Sequence, residues 1–208
     1  ASTRLIPFEF STVQTYILEF GNQYIRVYKD KGQVLSGGAG SSPVEISTPY
    51  LTAQLFDIKF AQSADVMYIT HPSHATRKLS RTGHTSWTLT EVDFTNGPYL
   101  DTNTSTTTIT ASAQTVGTGR TFTASSSTFV SSDVDRLIRF RDGHAKVTGF
   151  TSATVVTVQI LVDTGSATAS TDWSLGAFSD TTGYPSCVTF FEQRLVFAGT
   201  TEQPQTIF

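Results

Sequence analysis

Charged residues, cysteine and long apolar runs are scarce in this sequence, and each scarcity excludes a class of protein. Charged residues make up 15% of the 208 residues, whereas ~25% is usual in soluble domains, and Ser, Thr, Asn and Gln supply the polarity instead. Cys187 is the only cysteine, so an internal disulfide is excluded. No apolar run approaches the ~20 residues of a membrane-spanning helix.

A basic stripe is also missing. The net charge is −3 and the pI about 5.8, whereas proteins that hold nucleic acid stably usually carry clustered Lys and Arg. The densest group of cations is Arg136, Arg139 and Arg141, and three aspartates interrupt it. The composition therefore gives no support for a protein that binds nucleic acid tightly.

Helix signals are scarce, whereas strand signals run through the chain. No window keeps an apolar i, i+3, i+4, i+7 pattern between a cap and a stop. The segment TYILEFGNQYIRVYKDKGQVL instead alternates β-branched and aromatic residues with polar ones. It predicts strands over 15–20 and 24–28, a tight turn at Gly21 and Asn22, and a further turn over 30–32. We therefore predict an all-β, antiparallel protein.

Three of the four histidines lie in the segment ITHPSHATRKLSRTGHTSW, which is either a metal site or a pair of turns. Val66, Tyr68 and Ile69 indicate a buried strand, preceded by a connection over 61–65. RKLSRT and SWTLTEVDF supply two more strands. The segment thus predicts a three-stranded meander with the histidines in its two turns.

His71, His74 and His84 together offer three imidazole nitrogens, a donor type that zinc accepts. However, a proline lies between His71 and His74, no helix is predicted there, and no glutamate completes an H-E-x-x-H motif. The two turns also lie at opposite ends of the middle strand, predicted over 77–81. We expect surface or interface residues that hold no metal and no cofactor. Arg77 and Arg194 join them as candidate turn or interface residues.

Two pairs of carboxylates have the spacing that places both side chains on one face of a strand. They are Glu91 with Asp93 and Asp133 with Asp135. Glycosidases require two carboxylates at a defined separation, but nothing else in the sequence marks a sugar cleft. No catalytic residue is therefore assigned, and the protein is not predicted to be an enzyme.

Aromatic residues make up 12% of the chain. Exposed rings would offer stacking platforms for sugars, but rings in apolar strands usually belong to the core. We accordingly predict that Phe190, Phe191 and Phe197 lie in the core and that Cys187 is a small core residue.

The composition changes near Asp101. From Asp101 to Ser132, 18 of 32 residues are Ser or Thr, and only Asp101 and Arg120 are charged. Thr is a good strand former, and apolar residues recur there at strand-like intervals. We predict an inserted small β-barrel over 101–178, within a discontinuous β body formed by 1–100 and 179–208.

Three blocks of the sequence resemble the tail nozzle proteins of short-tailed phages, also called tail tubular protein B. The blocks are RLIPFEFSTVQTYILEFGNQYIRVYKDKGQVL, FAQSADVMYITHPSHATRKLSRTGHTSWTLTEVDF and YPSCVTFFEQRLVFAGTTEQPQTIF. They contain an LEFG-like hairpin, an AQSAD-type connection, an HP turn, RKLSR and an F-x-x-RL-x-FAGT-x-x-x-P hairpin, in the order that the family shows.

The resemblance implies a structural virion protein. In that family, a propeller-like β body forms a homo-hexameric tube below the head–tail adaptor proteins, and double-stranded DNA leaves through its lumen with only transient, non-specific contact. The resemblance further implies synthesis in the bacterial host cytoplasm and incorporation into the phage tail. Because the family's body is longer and the chain ends within a predicted strand, we expect an N-terminal fragment.

Two other functions stay open on the sequence alone. A Thr- and Ser-rich β module with many aromatic residues is also typical of an extracellular carbohydrate-binding or adhesin module. A polysaccharide depolymerase would in addition need one of the carboxylate pairs to be catalytic.

Overall fold

The computed structural model describes residues 2–11, 14–37 and 41–208, and it confirms the all-β prediction. Within these residues, seventeen strands form antiparallel sheets, and two short 3-10 turns, Thr52–Gln54 and Ser131–Asp133, interrupt the loops. No helix in this part of the chain has the length and hydropathy that a bilayer crossing requires.

The chain divides into two compact units. The first takes its residues from 1–92 and 185–208, and the second comprises 93–184. The composition shift instead suggested boundaries at 100/101 and 178/179. The second unit begins before residue 101 because residues ahead of it already pair with that unit. The Leu100 N–H donates to the Leu175 carbonyl (2.8 Å), and the Ala177 N–H donates to the Pro98 carbonyl (2.9 Å). Residues 98–100 thus already pair within the second unit.

The first unit contains two sheets that pack face to face. The first sheet has the order β1-β2-β3-β4, and β5 pairs with β3. Its strands are β1 (Arg4–Ser11), β2 (Gln14–Gly21), β3 (Tyr24–Lys29), β4 (Gly32–Gln33) and β5 (Glu45–Ser47). Buried and more exposed residues alternate along β2 and β3, as the two-residue period of a strand requires when one face is covered.

The hairpin between β2 and β3 turns at Asn22 and Gln23, so the predicted turn at Gly21 and Asn22 is wrong by one residue. Gln23 adopts the left-handed conformation with φ 64°, while Gly21 stays in β2 and pairs with Tyr24. The Tyr24 ring lies across the Gly21 backbone, where a Cβ atom would collide with it. Gly21 therefore permits a close ring contact, and the turn uses a residue with a side chain.

The second sheet is a four-stranded meander with the order β6-β7-β8-β9. Its strands are β6 (Lys59–Ser63), β7 (Val66–His71), β8 (His74–Arg81) and β9 (Trp87–Glu91). The sequence predicted three strands and a connection over 61–65, but most of that connection is β6, and the turn contains only Ala64 and Asp65. The middle of β6 is half-buried on both faces, so its sequence shows no clear alternation.

One apolar layer fills the space between the two sheets. Trp87 of β9 contacts Phe8 and Tyr16 of the first sheet edge to face, with ring centroids 4.8 and 5.3 Å apart, a geometry that aromatic pairs prefer. Other fully buried members are Ile6, Leu18, Phe20, Ile25, Val27, Tyr50, Leu55, Ile58, Met67, Ile69 and Leu79. Burial of each large aliphatic or aromatic side chain contributes roughly 1.5–3 kcal/mol, so this layer is the main stabilising feature of the unit.

The outer edge of β1 is protected by a side chain. The Glu9 N–H donates to Gln62 Oε1 (3.1 Å), and Gln62 Nε2 donates to the Glu9 carbonyl (3.0 Å). In an antiparallel ladder, residues two apart face the same way, so Pro7 also faces this edge, where it has no N–H to donate. Gln62 and Pro7 therefore make the edge a poor template for a strand of another chain.

A separate hairpin packs against β6 and β7. It consists of β16 (Cys187–Phe191) and β17 (Arg194–Ala198). Its Phe190 ring meets Tyr68 at a centroid distance of 6.0 Å. Phe197 is buried as predicted, but Phe190 is partly exposed and Phe191 and Cys187 are exposed. The core prediction is wrong for Phe191 and Cys187, because they lie on the face of the hairpin that is turned to solvent. It is only partly right for Phe190, which contacts Tyr68 but is 38% exposed.

The second unit is built on one six-stranded antiparallel sheet that is curled into a half-barrel. Its order is β10-β11-β14-β13-β12-β15. The strands are β10 (Ile109–Ala111), β11 (Gly117–Ala124), β12 (Leu137–Phe140), β13 (Gly143–Ser152), β14 (Val155–Val162) and β15 (Trp173–Leu175). A bridge between Ile109 of β10 and Ser170 joins one edge of the sheet to the segment before β15. The predicted barrel is thus a partial one.

An ion pair between Asp133 and Arg136 is buried in the second unit. Arg136 Nη1 donates to Asp133 Oδ1 (2.7 Å), and Arg136 Nε donates to the Gly176 carbonyl (2.8 Å). Asp133 also accepts from the Val130 N–H (2.9 Å) and the Thr181 hydroxyl (3.0 Å). These additional hydrogen bonds offset the desolvation of two buried charges. The pair ties the loop before β12 to residues 176–181.

In the hairpin between β12 and β13, the glycine likewise lies in a strand and not in the turn. The sequence predicted a turn at Asp142 and Gly143, but Arg141 adopts the left-handed conformation (φ 53°) and Gly143 begins β13. A Cβ atom on Gly143 would lie 2.5 Å from the Asp163 carbonyl oxygen and closer still to that of Val162. Neither backbone oxygen can move without disturbing the end of β14.

We predict that Gly143→Ala destabilises the protein, because the added methyl group would overlap with backbone atoms. Overpacking of this kind costs about 1–3 kcal/mol. Gly149→Ala in the same strand is the matched control, since its Cβ would lie 3.6 Å from Thr157 Cβ, an ordinary contact. Urea unfolding should show a clear loss for the first variant and none for the second. Equal midpoints for the two variants would contradict the packing argument.

Candidate functional site

The turn between β7 and β8 places two histidines side by side. His71 ends β7 and His74 begins β8, and the two residues pair across the turn. Their ring centroids are 5.0 Å apart. The Ser73 N–H donates to His71 Nδ1 (3.1 Å), so this side chain holds the turn as an Asx side chain would. We call Tyr50, Gln54, His71 and His74 the histidine cluster.

His71 is buried, although the sequence led us to expect a surface or interface residue. Only 3% of it is exposed, and the Tyr50 and His74 rings lie 6.1 and 5.0 Å from its own. Because Nδ1 accepts from Ser73, the proton of the neutral ring is on Nε2. Within the described residues, His71 Nε2 and the Tyr50 hydroxyl are both buried and have no hydrogen-bond partner.

The electrostatics of the cluster favour uncharged groups. Burial, reinforced by the neighbouring His74, lowers the pKa of His71 below its ordinary value, while Asp57 acts in the opposite direction. Burial likewise raises the pKa of the Tyr50 hydroxyl. Arg77 acts to lower this pKa, and Glu91 acts to raise it. Protonation of His71 would also place a second N–H against that of Ser73. The cluster is therefore built around a neutral imidazole.

His74 connects the cluster to the loop before β6. Its Nε2 lies 2.9 Å from Gln54 Oε1, which also accepts from the Leu51 N–H (2.9 Å). An amide oxygen can only accept, so His74 carries a proton on Nε2. The Tyr50 ring stands edge to face against His74 at 5.3 Å. Gln54 thus fixes the orientation of this ring.

His84 is not part of the cluster. It lies in the turn between β8 and β9, where its Nδ1 is 3.2 Å from the Tyr16 hydroxyl and its carbonyl accepts from Trp87 Nε1 (3.2 Å). The eight residues of β8 separate the two turns by about 26 Å at ~3.3 Å per residue. β8 is longer than the predicted 77–81, so the separation is larger than expected.

The two candidate arginines lie at separate places. Arg77 Nη2 donates to Glu91 Oε1 across β8 and β9 (2.7 Å), and its Nε is buried without a partner among the described residues. Arg194 begins β17 and pairs with Phe191 across the hairpin, with both side chains exposed. Of the predicted site residues, the structure therefore brings only His71 and His74 together.

The carboxylate pairs do not form a catalytic pair within either unit. Glu91 is engaged by Arg77, and Asp93 belongs to the other unit. Asp133 is buried against Arg136, whereas Asp135 is exposed with φ 69° and lies 3.5 Å from Lys146 Nζ. Asp133 and Asp135 precede β12, so the assumption that they share a strand face is wrong.

A second group of functional candidates was missed by the sequence reasoning, namely large apolar side chains at the surface. Leu5 is 65% exposed, Phe56 62%, Phe191 64% and Ile207 74%. One signal was present for Phe191, because adjacent residues of a strand point to opposite faces. Phe190 and Phe191 could not both face the core. The same signal marks Leu5, because the adjacent Ile6 is buried and neighbouring strand residues cannot share a face.

We predict that the pH dependence of stability reflects His71. A lowered pKa means that the unfolded chain binds the proton more readily, so stability is complete above about pH 6.5 and falls as the pH decreases, by at most about 1.4 kcal/mol per unit. His71→Asn should keep the bond from Ser73 and flatten this dependence. Thermal unfolding between neutral pH and mildly acidic pH measures it.

His84→Asn is the matched control for that experiment, because it removes an exposed ring at the opposite end of β8. It should retain the pH dependence of the original protein. A pH profile that flattens equally in both variants would show that burial of His71 is not its cause.

We also predict that purified protein holds no zinc. In the described residues, no group of three or more His, Cys, Asp and Glu side chains is placed to hold a metal ion, and His84 lies at the far turn. Elemental analysis should give substoichiometric zinc, and a chelator should leave the melting temperature unchanged. Stoichiometric zinc that disappears in His84→Ala would overturn this prediction.

No protein-family model and no curated protein matches the chain. Inference about its function therefore depends on its own surfaces and on the resemblance of its three sequence blocks.

Proposed function

We propose that the chain is a structural subunit of a short phage tail, in a nozzle whose copies form part of the channel through which DNA leaves. The observation that carries this proposal is the exposure of large apolar side chains on a chain with few charges. In the first unit, Leu5 (65% exposed) and Ile17 (41% exposed) line one groove on the outer face of the first sheet, and Phe191 is 64% exposed. Exposed apolar side chains mark sites of association when they lie side by side, as Leu5 and Ile17 do.

The distribution of charge supports the same function. Seven of the 14 Lys and Arg side chains form ion pairs with carboxylates of the chain: Arg26, Lys29, Arg77, Arg81, Arg136, Arg139 and Lys146. Stable DNA binding requires cations that neutralise phosphates and release counterions. A paired cation serves this purpose poorly. The arrangement suits a channel wall along which DNA passes with transient contact.

The remaining elements of the proposal follow from the resemblance. Both units are antiparallel β structures, which is compatible with a propeller-like nozzle body that carries a partly barrel-shaped insert. The partners proposed are further copies of the chain in a hexamer and the head–tail adaptor proteins. The site of action is the virion.

Carbohydrate binding by the second unit is the alternative, and one surface favours it. On the face of the half-barrel opposite its core, Thr110 pairs with Thr123 and Thr121 pairs with Thr157. Phe150 is partly exposed on the other face of the sheet, where it pairs with Val156. Exposed hydroxyl groups and exposed aromatic rings are the groups with which an adhesin would contact a sugar.

The proposed function predicts that the chain is a component of phage particles. Particles should be induced and purified from the bacterial strain that carries the gene. Peptides of the chain should be present in hexameric stoichiometry relative to the tail, and antibodies against it should label the tail in electron micrographs. Particles that lack the chain, together with glycan-array binding that Phe150→Ala abolishes, would favour the adhesin instead.

A further inference from the structure

The outer face of the first sheet contains an open groove of about 670 Å³. Leu5 and Ile17 form its apolar floor. In the register of the sheet, Leu5 pairs with Glu19 and Ile17 pairs with Tyr28, so all four side chains lie on the face turned away from the core. The alternation that buries Ile6 and Leu18 therefore places two aliphatic side chains where none of the described residues of this unit covers them.

The wall of the groove is held in place by hydrogen bonds. Tyr28 donates its hydroxyl proton to Glu19 Oε2 (2.6 Å), and Tyr24 donates to Glu19 Oε1 (3.0 Å). Glu19 thus stays beside the apolar floor in a fixed orientation. Asp30 and Lys31 form the opposite end of the groove at the turn after β3. The groove is accordingly apolar in its floor and carries charges of both signs at its rim.

The tip of the β16–β17 hairpin has the complementary pattern. Phe191 is 64% exposed and pairs across the hairpin with Arg194. Glu192 and Gln193 form the turn, with φ 46° and 64°. Phe190 anchors the hairpin on Tyr68, so Phe191, on the opposite face of the strand, points away from the body. One apolar ring thus stands between a negative and a positive side chain.

These two surfaces lie on opposite sides of the first unit. Met67 and Ile69 of β7 fill the layer between the two sheets. Because neighbouring strand residues point to opposite faces, Tyr68 points to the outer face of the second sheet. The hairpin rests on that outer face, whereas the groove lies on the outer face of the first sheet. A hairpin therefore cannot reach the groove of its own chain.

We propose that the hairpin tip of one copy of this chain docks in the groove of a second copy. Phe191 covers Leu5 and Ile17, Arg194 faces Glu19, and Glu192 faces Lys31. Two different surfaces on opposite sides give a head-to-tail contact, which closes into a ring when the rotation between copies allows it. The contact between copies stands on the geometry alone, and its closure into a ring in the tail rests on the proposed function.

The test uses the 208-residue chain and single exposed positions, so that folding is preserved. Sedimentation through the micromolar range should show oligomers of the unaltered protein. Phe191→Ser and Ile17→Ser should each weaken association at least about 30-fold, as removal of a central interface anchor does. Phe56→Ser is the matched control, because Phe56 is 62% exposed but belongs to neither surface, and it should leave association unchanged.

Mixing the two defective variants tests the head-to-tail geometry directly. Phe191→Ser retains an intact groove, and Ile17→Ser retains an intact hairpin, so an equimolar mixture should form one-to-one dimers and nothing larger. A charge exchange tests the rim: Glu192→Lys and Lys31→Glu should each weaken association, and the double variant should restore it. Both positions already adopt positive φ, so the exchange adds no new backbone strain.

Three results would overturn the inference. They are an unaltered chain that stays monomeric, a Phe56→Ser variant as defective as Phe191→Ser, and a mixture of the defective variants that remains monomeric. Each of these is independent of whether the chain is found in phage particles. Particle-borne protein that fails the mixing experiment would leave the proposed function intact and refute this contact.

Discussion

The apolar layer between the two sheets of the first unit is the constraint on which its other features depend. Trp87 packs against Phe8 and Tyr16 across this layer, and a strand that contributes to it must turn every second residue outward. The register that buries these rings therefore also fixes which residues reach the surface. Leu5 and Ile17 face outward for that reason, and the hairpin on the far side of the second sheet is placed by the same rule.

The strands of this fold could be predicted from the sequence because alternation is a local property. Two of the turns could not, because the glycines that predicted them lie in strands. Glycine is the usual residue where φ must be positive, yet Gln23 and Arg141 occupy those positions. Gly21 and Gly143 stay in strands because a ring or a carbonyl approaches them closely. That requirement comes from residues distant in sequence or across the sheet, so no turn rule contains it.

The candidate site was predictable only in part, for a related reason. The position of His71 and His74 around a turn followed from the HPSH segment, but the burial of His71 depends on Tyr50, which comes from a loop in another part of the unit. Likewise, the pairing of Phe190 with Tyr68 determines which face of the hairpin is covered. The resemblance to phage nozzles predicts a function from a sequence pattern. That function stays a prediction, because the groove and the hairpin tip were described without using it and do not test it.

The low charge of the chain constrains how its copies would recognise one another in the proposed contact. Since half of the cations are paired with carboxylates in the same chain, little long-range field remains to steer association. Recognition must then depend on short-range fit, in which an apolar ring fills an apolar groove and nearby charges fix the orientation. Gln62 and Pro7 contribute in the opposite sense, because they close the edge of β1 to strand pairing. The β1 edge thus disfavours edge-to-edge aggregation while the proposed contact stays open, which is the combination that a closed assembly would require.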